Sequence, residues 1–274
     1  MATEQSTKTY RGNCHCGAFV YEAEIPEIKS VITCDCSMCF KKGTRYAYAP
    51  EASVKIVKGD ESDLVSYQFH TKSVSYKFCA HCGSPVLGKG KLGDQVMYGL
   101  NVNCIQGVDL QSLEEKFVNG AATGEKHVPP EYSGPEPEAE IEGAKIYHGS
   151  CHCGAVGLAI KSKDLHEHPE AAGKMGFVTC DCSICARNGN IWMYPTKKQI
   201  VFTGRDNLSY YSFGKKAMRK SFCKTCGVNM SNEWLENGPD IWPINLRVLD
   251  NFSTDGLKIN HFPDDSRDPP YVNP

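Results

Sequence analysis

Fourteen of the fifteen cysteines stand in groups whose spacing suits metal ligation rather than disulfide pairing. CHC occurs at 14–16 and again at 151–153. CxxC occurs at 79–82 and at 223–226, each time followed by glycine, Gly83 or Gly227, which permits a positive-φ turn exit. On an extended strand residues i and i+2 share a face, so each CHC is expected to converge two sulfurs while His15 or His152 points away. CxC plus CxxC supplies four thiolates, the donor set of a closed tetrahedral zinc site that clips distant strands together. The expected ligands are Cys14, Cys16, Cys79 and Cys82 in the first copy, and Cys151, Cys153, Cys223 and Cys226 in the second.

The third group is different. Residues 33–39 read TCDCSMC and residues 179–185 read TCDCSIC. Cys34, Cys36 and Cys39, and likewise Cys180, Cys182 and Cys185, can meet one ion, yet no fourth ligand is common to both copies. Asp35 and Asp181 are out of phase, and Cys104 is matched by Val248. Three protein ligands with an open position is the catalytic arrangement of zinc. A three-thiolate zinc carries a formal charge of about −1 and is a weak Lewis acid, but it accepts sulfur readily. An exogenous thiol is the obvious fourth ligand, which binding would deprotonate near an electrophile. The added charge calls for basic neighbours, and Lys41, Lys42, Arg45 and Arg187 follow the triplets; plain surface charge is the alternative for each. A closed binuclear cluster, or a ligand from the other repeat, is the alternative for the triplets.

These groups sit in two copies of one unit. The order GxCHCG, CxCSxC, FCxxCG holds in both, with 40 residues from Cys39 to Cys79 and 38 from Cys185 to Cys223. Cys16 to Cys34 is 18 residues but Cys153 to Cys180 is 27, and the longer copy has its insertion within KSKDLHEHPEAAGKMG, a charged surface loop by composition. Between the copies lies SGPEPEAEIEGA, of linker composition. The expected domains are 8–132 and 145–271, joined by a linker at 133–144, and VPPEY at 128–132 is echoed by DPPY at 268–271.

Short β-branched and aromatic runs such as SVKIVKG, SVSYKFC, QIVFTG and LSYYSF predict mainly antiparallel β-sheet with few short helices. DLQSLEEKFV at 109–118 is the best helix candidate. Tyr46, Tyr48, Trp192 and Tyr194 are either pocket lining or ordinary core. Asn101 and Asn245 occupy equivalent places, for which a sheet-end turn is the simple account. Net charge is −2 with no long basic run, so nothing marks a nucleic-acid footprint. No apolar stretch reaches membrane-spanning length, and the polar start MATEQSTKTYRGN lacks a signal-peptide core, which predicts a cytoplasmic location where thiols stay reduced.

GxCHCG, CxCSxC and FCxxCG, twice in order, resemble the glutathione-dependent formaldehyde-activating enzyme and CENP-V domain family. The resemblance covers both repeats. It implies coiled antiparallel β-sheets, a structural zinc on the CxC and CxxC groups, and a second zinc on CxCxxC that glutathione engages as co-substrate. The activity implied is carbon–sulfur lyase chemistry, with formaldehyde captured as S-hydroxymethylglutathione. The chain departs from the family in being a tandem fusion, and in having Val228 where the first repeat keeps the small hydroxyl residue Ser84. The competing expectation is a non-catalytic zinc module for protein interaction. Methionine sulfoxide reduction, the chemistry of a related fold, would need a free reactive cysteine, and only Cys104 is spare.

Overall fold

The computed structural model describes residues 6–235, 238–263 and 270–274. Part of the DPPY echo and part of the expected second domain therefore lie outside the described residues. The chain divides into two compact units. The first extends to His127 and takes in Val272–Pro274; the second runs Val128–Tyr271. VPPEY thus packs with the second unit, and 133–144 is laid along it: Tyr132 donates to the Pro135 carbonyl and Ala139 N–H to that of Lys198.

Each unit holds a three-stranded and a seven-stranded sheet among its described residues. In unit 1 the small sheet is Thr7–Asn13, Val20–Pro26, Val54–Lys58. The large one runs, edge to edge, Glu114–Val118, Ser30–Cys34, Tyr46–Pro50, Gln95–Asn101, Pro85–Leu92, Val74–Cys79, Leu64–Tyr67. Unit 2 repeats the same order. Its small sheet is Lys145–Ser150, Gly157–Ser162, Ile200–Thr203; its large one is Ile259–Phe262, Phe177–Cys180, Trp192–Met193, Ile244–Asn245, Asn229–Trp234, Met218–Cys223, Leu208–Tyr211. Among the described residues two short helices complete the regular structure beside 3-10 turns: α1 (Ser37–Lys42) and α2 (Ser183–Asn188). The fold is mainly β, as the alternation predicts.

The strands are amphipathic. Val20–Pro26 alternates buried and exposed residues, and Phe19, Tyr21, Phe78 and Leu100 are fully buried between the sheets of unit 1. Leu158, Ile160, Phe177 and Phe222 do the same in unit 2. Each such side chain contributes about 1.5–3 kcal/mol of burial free energy.

Three details depart from the sequence reading. The segment 109–118 is not a helix: Asp109 turns the chain by accepting from Gln111 N–H, and Glu114–Val118 then lies parallel to Ser30–Cys34 as an exposed edge strand. Pairing with a neighbouring strand outweighs the helix propensity of LEEK, which is a weak preference per residue. Ile259–Phe262 pairs the same way with Phe177–Cys180, so each large sheet carries one parallel pair. Second, CHC is not extended; the chain turns at Cys14, where Gly17 N–H meets the Cys14 carbonyl at 3.0 Å. Third, the insertion after Lys161 is a largely exposed loop but is pinned by buried Leu165 and Ala172, and Tyr147 Oη accepts the Leu165 N–H.

Candidate metal centres

The CHC turn ends the strand Thr7–Asn13, and the CxxC turn ends Val74–Cys79, where Gly83 N–H closes on the Cys79 carbonyl with Gly83 at φ 71°. The two turns face each other. Cys14 and Cys16 sulfurs are 3.6 Å apart, as are Cys16 and Cys79, and all four sulfurs with Cys82 lie within 4.8 Å of one another. In unit 2 Cys151–Cys153 is 3.5 Å and Cys153–Cys223 is 3.6 Å, with Cys226 completing the set. Tetrahedral zinc with sulfur at about 2.3 Å requires sulfurs roughly 3.8 Å apart, so both sets fit the ion. All fifteen cysteines are free thiols. Backbone amides also aim at the sulfurs: Phe19 N–H donates to Cys14 and Val156 N–H to Cys151, each at 3.3 Å, as thiolate ligands require.

The triplets form on a strand end and a helix. Cys34 closes Ser30–Cys34, Cys36 precedes α1, and Cys39 lies within it. Cys180, Cys182 and Cys185 repeat this on Phe177–Cys180 and α2. Each trio of sulfurs lies within 4.8 Å, and the described residues offer no fourth cysteine, histidine or carboxylate inside that distance. Cys36 N–H donates to Cys34 and Cys182 N–H to Cys180, both at 3.4 Å. In unit 1 the Cα of Gly120 abuts Cys34 so closely that a Cβ there would fall on the sulfur. Hydrogen bonds from Cys36 and then Cys39 pull the Cys34 thiol down to about 2, while the same bonds and burial push Cys39 up. Shared protons of this kind are what a bound cation displaces.

Asp35 and Asp181 turn away from the sulfurs. Asp35 accepts the Ala121 N–H at 2.9 Å, and Asp181 pairs with His261 at 2.7 Å. Cys104 is buried and donates to the Pro85 carbonyl at 3.4 Å. Asn101 and Asn245 are indeed sheet-end caps: their oxygens accept from Asn103 and Arg247 N–H, and their amides donate to the Pro85 and Asn229 carbonyls.

The basic candidates are not simple surface charge. Lys41, Lys42 and Arg187 are buried. Lys42 Nζ stands 4.5 Å over the Phe78 ring, Arg187 donates to the Ser183 carbonyl and covers Tyr271, and Arg45 donates to Asn103 and meets Glu115 at 3.5 Å. A charge that reaches a triplet was missed by the sequence reading: Lys220 Nζ lies 3.3 Å from Cys185 Sγ. Aligning SVSYKFC with AMRKSFC on their common FC would have found it, because Lys220 then replaces Tyr76. Tyr76 itself is half-buried near the first triplet, and burial, then the charge of Cys39, pushes its phenol up. Tyr46 is buried and pushed up by the same causes, whereas Tyr48 is 57% exposed. Trp192 Nε1 donates to Cys185 at 3.3 Å. Tyr194 is held by the unit 2 insertion, its N–H on the Ala172 carbonyl at 2.6 Å.

Fold and clusters together define a tandem β-sheet protein whose units each carry one four-thiol and one three-thiol site able to hold zinc. The model of the glutathione-dependent formaldehyde-activating enzyme family matches residues 9–118 and 146–262, and the chain belongs to that family. It is also similar to a crystal structure of a Rhodobacter sphaeroides protein, at 30% identity and a TM-score of 0.35, over 39% of this chain and 99% of that one. No helix among the described residues is long and apolar enough to cross a membrane.

Proposed function

We propose that the protein is a zinc-dependent enzyme of the carbon–sulfur lyase type, which forms or cleaves the adduct of a thiol, glutathione foremost, with a small carbonyl such as formaldehyde. The observation that carries this reading is the three-cysteine cluster, present in both units without a fourth donor among the described residues. Cys14, Cys16, Cys79 and Cys82, with their unit 2 counterparts, would hold structural zinc; Cys34, Cys36, Cys39 and Cys180, Cys182, Cys185 would hold the second ion. Bound there, zinc supplies a soft Lewis acid with a position open to sulfur.

The chain's own residues fix that position. The Cys36 and Cys182 amides orient the first sulfur of each trio. Tyr46, Tyr48 and Tyr76 stand around the first trio as neutral phenols, able to donate a hydrogen bond to a carbonyl oxygen. In the reaction the thiol sulfur forms the S–C bond as the C=O π pair takes up the thiol proton, so no oxidant or reductant is needed. Lys41, Lys42, Arg45 and Arg187 are retained as charges that offset the anionic centres. The fifteen free thiols suit a reducing compartment such as the cytoplasm. Each of the two compact units carries one such site.

The test is metal analysis of the purified chain with and without glutathione, beside carbon-13 exchange spectroscopy of glutathione and formaldehyde. Four zincs per chain, two of them responsive to thiol, and faster adduct exchange are expected. Four inert zincs and unchanged exchange would overturn this reading and favour a non-catalytic zinc module.

A further inference from the structure

The two three-cysteine centres share a backbone, but the position that holds Lys220 in unit 2 holds Tyr76 in unit 1. Lys220 lies on Met218–Cys223, opposite Asn232 on Asn229–Trp234. It is 8% exposed. Its Nζ is 3.3 Å from Cys185 Sγ, 3.1 Å from Asn232 Oδ1, and 4.7 Å from the centre of the Trp192 ring. Trp192 Nε1 gives Cys185 a second N–H donor at 3.3 Å. In unit 1 the same register places Tyr76 opposite Gly88, and Tyr46 where unit 2 has Trp192. Three facing positions have therefore changed together. The change is self-consistent, because a buried ammonium needs an acceptor and Asn232 provides one that Gly88 cannot. The unit 1 helix carries two buried lysines, Lys41 and Lys42, of which Lys42 lies over the Phe78 ring; their unit 2 counterparts are Arg187 and Asn188.

We propose that Lys220, seated by Asn232 and Trp192, sets the ligand-charge preference of the unit 2 centre, which takes an anionic thiol in preference to a cationic one, whereas the unit 1 centre has Tyr76 at the equivalent place. The inference rests on the reading that each trio holds zinc. A divalent ion with three thiolates is a net anion of about −1, and one ammonium on a ligand sulfur brings the group to about neutral. A neutral group accepts a further anion at less electrostatic cost. N–H donors on Cys185 also draw electron density from that sulfur and fix its direction. Lys220 is a positioning residue here; it acts through Cys185 and through the field at the fourth position.

The full chain loaded with cadmium-113 gives a separate resonance for each cluster, and Cys39→Ser and Cys185→Ser assign those of the two trios. The probes are 3-mercaptopropionate and cysteamine, thiols of similar reach and opposite charge. The unit 2 trio should favour 3-mercaptopropionate over cysteamine by about tenfold more than the unit 1 trio does, the effect of one charge a few ångström away in a partly wet site. Lys220→Tyr should abolish the difference and Lys220→Arg should keep it, with the four-cysteine resonances unchanged as proof of folding. Tyr76→Lys combined with Gly88→Asn should carry the preference into unit 1; a Cβ at Gly88 meets Val74 at an ordinary 3.6 Å. Trios that respond to thiol with equal charge preference, or a transplant that moves nothing, would overturn the inference alone. Absence of both trio resonances would overturn it together with the zinc reading beneath it.

Discussion

The four-cysteine and three-cysteine clusters lie in the same unit and use the same atom, but they close very different lengths of chain. Cys16 and Cys79 are 63 residues apart in sequence, and Cys153 and Cys223 are 70. Each trio, by contrast, comes from six consecutive residues, Cys34–Cys39 or Cys180–Cys185. An ion in the first kind of site removes the loop-closure entropy of half a domain from the unfolded state; an ion in the second removes almost none. The lesson is a division of labour. The long-range cluster holds the sheets together, and the local one is free to lose, gain or exchange a ligand without the fold depending on it.

The largest effect should follow from breaking the long-range cluster. Cys82→Ser leaves three thiols and no closed site, and should destabilise unit 1 by about 3–5 kcal/mol. All three tryptophans, Trp192, Trp234 and Trp242, lie in unit 2. Tryptophan fluorescence should therefore stay native while the chain loses β-sheet circular dichroism, whereas Cys226→Ser should change the fluorescence along with a comparable loss of β-sheet signal. If Cys39→Ser destabilised unit 1 as much as Cys82→Ser, the division of labour would be wrong.

Metal removal should sharpen the same contrast. Under graded chelation the two trio ions should leave about tenfold faster or more than the others, since folding free energy guards only the four-thiolate sites. The measurement is zinc release with a chromogenic chelator, read beside circular dichroism. Release of all four ions in one phase, coincident with unfolding, would count against the contrast.

The clusters were legible because ligand spacing is local chemistry repeated twice: CxC, CxCxxC and CxxC name their sulfurs without any knowledge of the fold. Pairing CHC with CxxC also needed only the count of four. The strand at Glu114–Val118 was illegible because an edge strand that is exposed throughout carries no buried face, and LEEK reads as helix. Lys220 was missed for another reason. It lies 35 residues from Cys185 in sequence and reaches it only through the register of the sheet. Lys41, Lys42 and Arg187 were found by adjacency, yet helix geometry buries them along the core side instead of leaving them on the surface.

A smaller and more selective effect is expected at Gly120. Its backbone passes against Cys34, so the Cβ of Gly120→Ala must displace the sulfur or the turn that Asp35 holds through the Ala121 amide. The strain, about 1–3 kcal/mol, falls on the trio alone. Unit 1 should lose one zinc of its two while its melting temperature changes little, and unit 2 should be unaffected. Retention of both ions by Gly120→Ala would mean that the trio tolerates movement of Cys34, and that its geometry is less fixed than the close approach implies.

The smallest effect concerns the one family position at which the repeats visibly diverge, Ser84 against Val228. Ser84 is fully buried, and its hydroxyl accepts the His15 N–H at 3.1 Å and the Cys82 thiol at 3.3 Å. Both contacts belong to the four-cysteine cluster and neither to the trio. Val228 is equally buried, yet the unit 2 sulfurs keep the same 3.5–3.6 Å spacing. Ser84→Val should therefore cost unit 1 about 1 kcal/mol, the net worth of a buried hydrogen bond. It should leave the zinc count and the thiol response of Cys34, Cys36 and Cys39 unchanged, as measured by thermal unfolding and by cadmium-113 resonances under added thiol. Should the trio's response vanish in Ser84→Val, the hydroxyl would act on the open centre, and the valine of unit 2 would then mark that centre as silent.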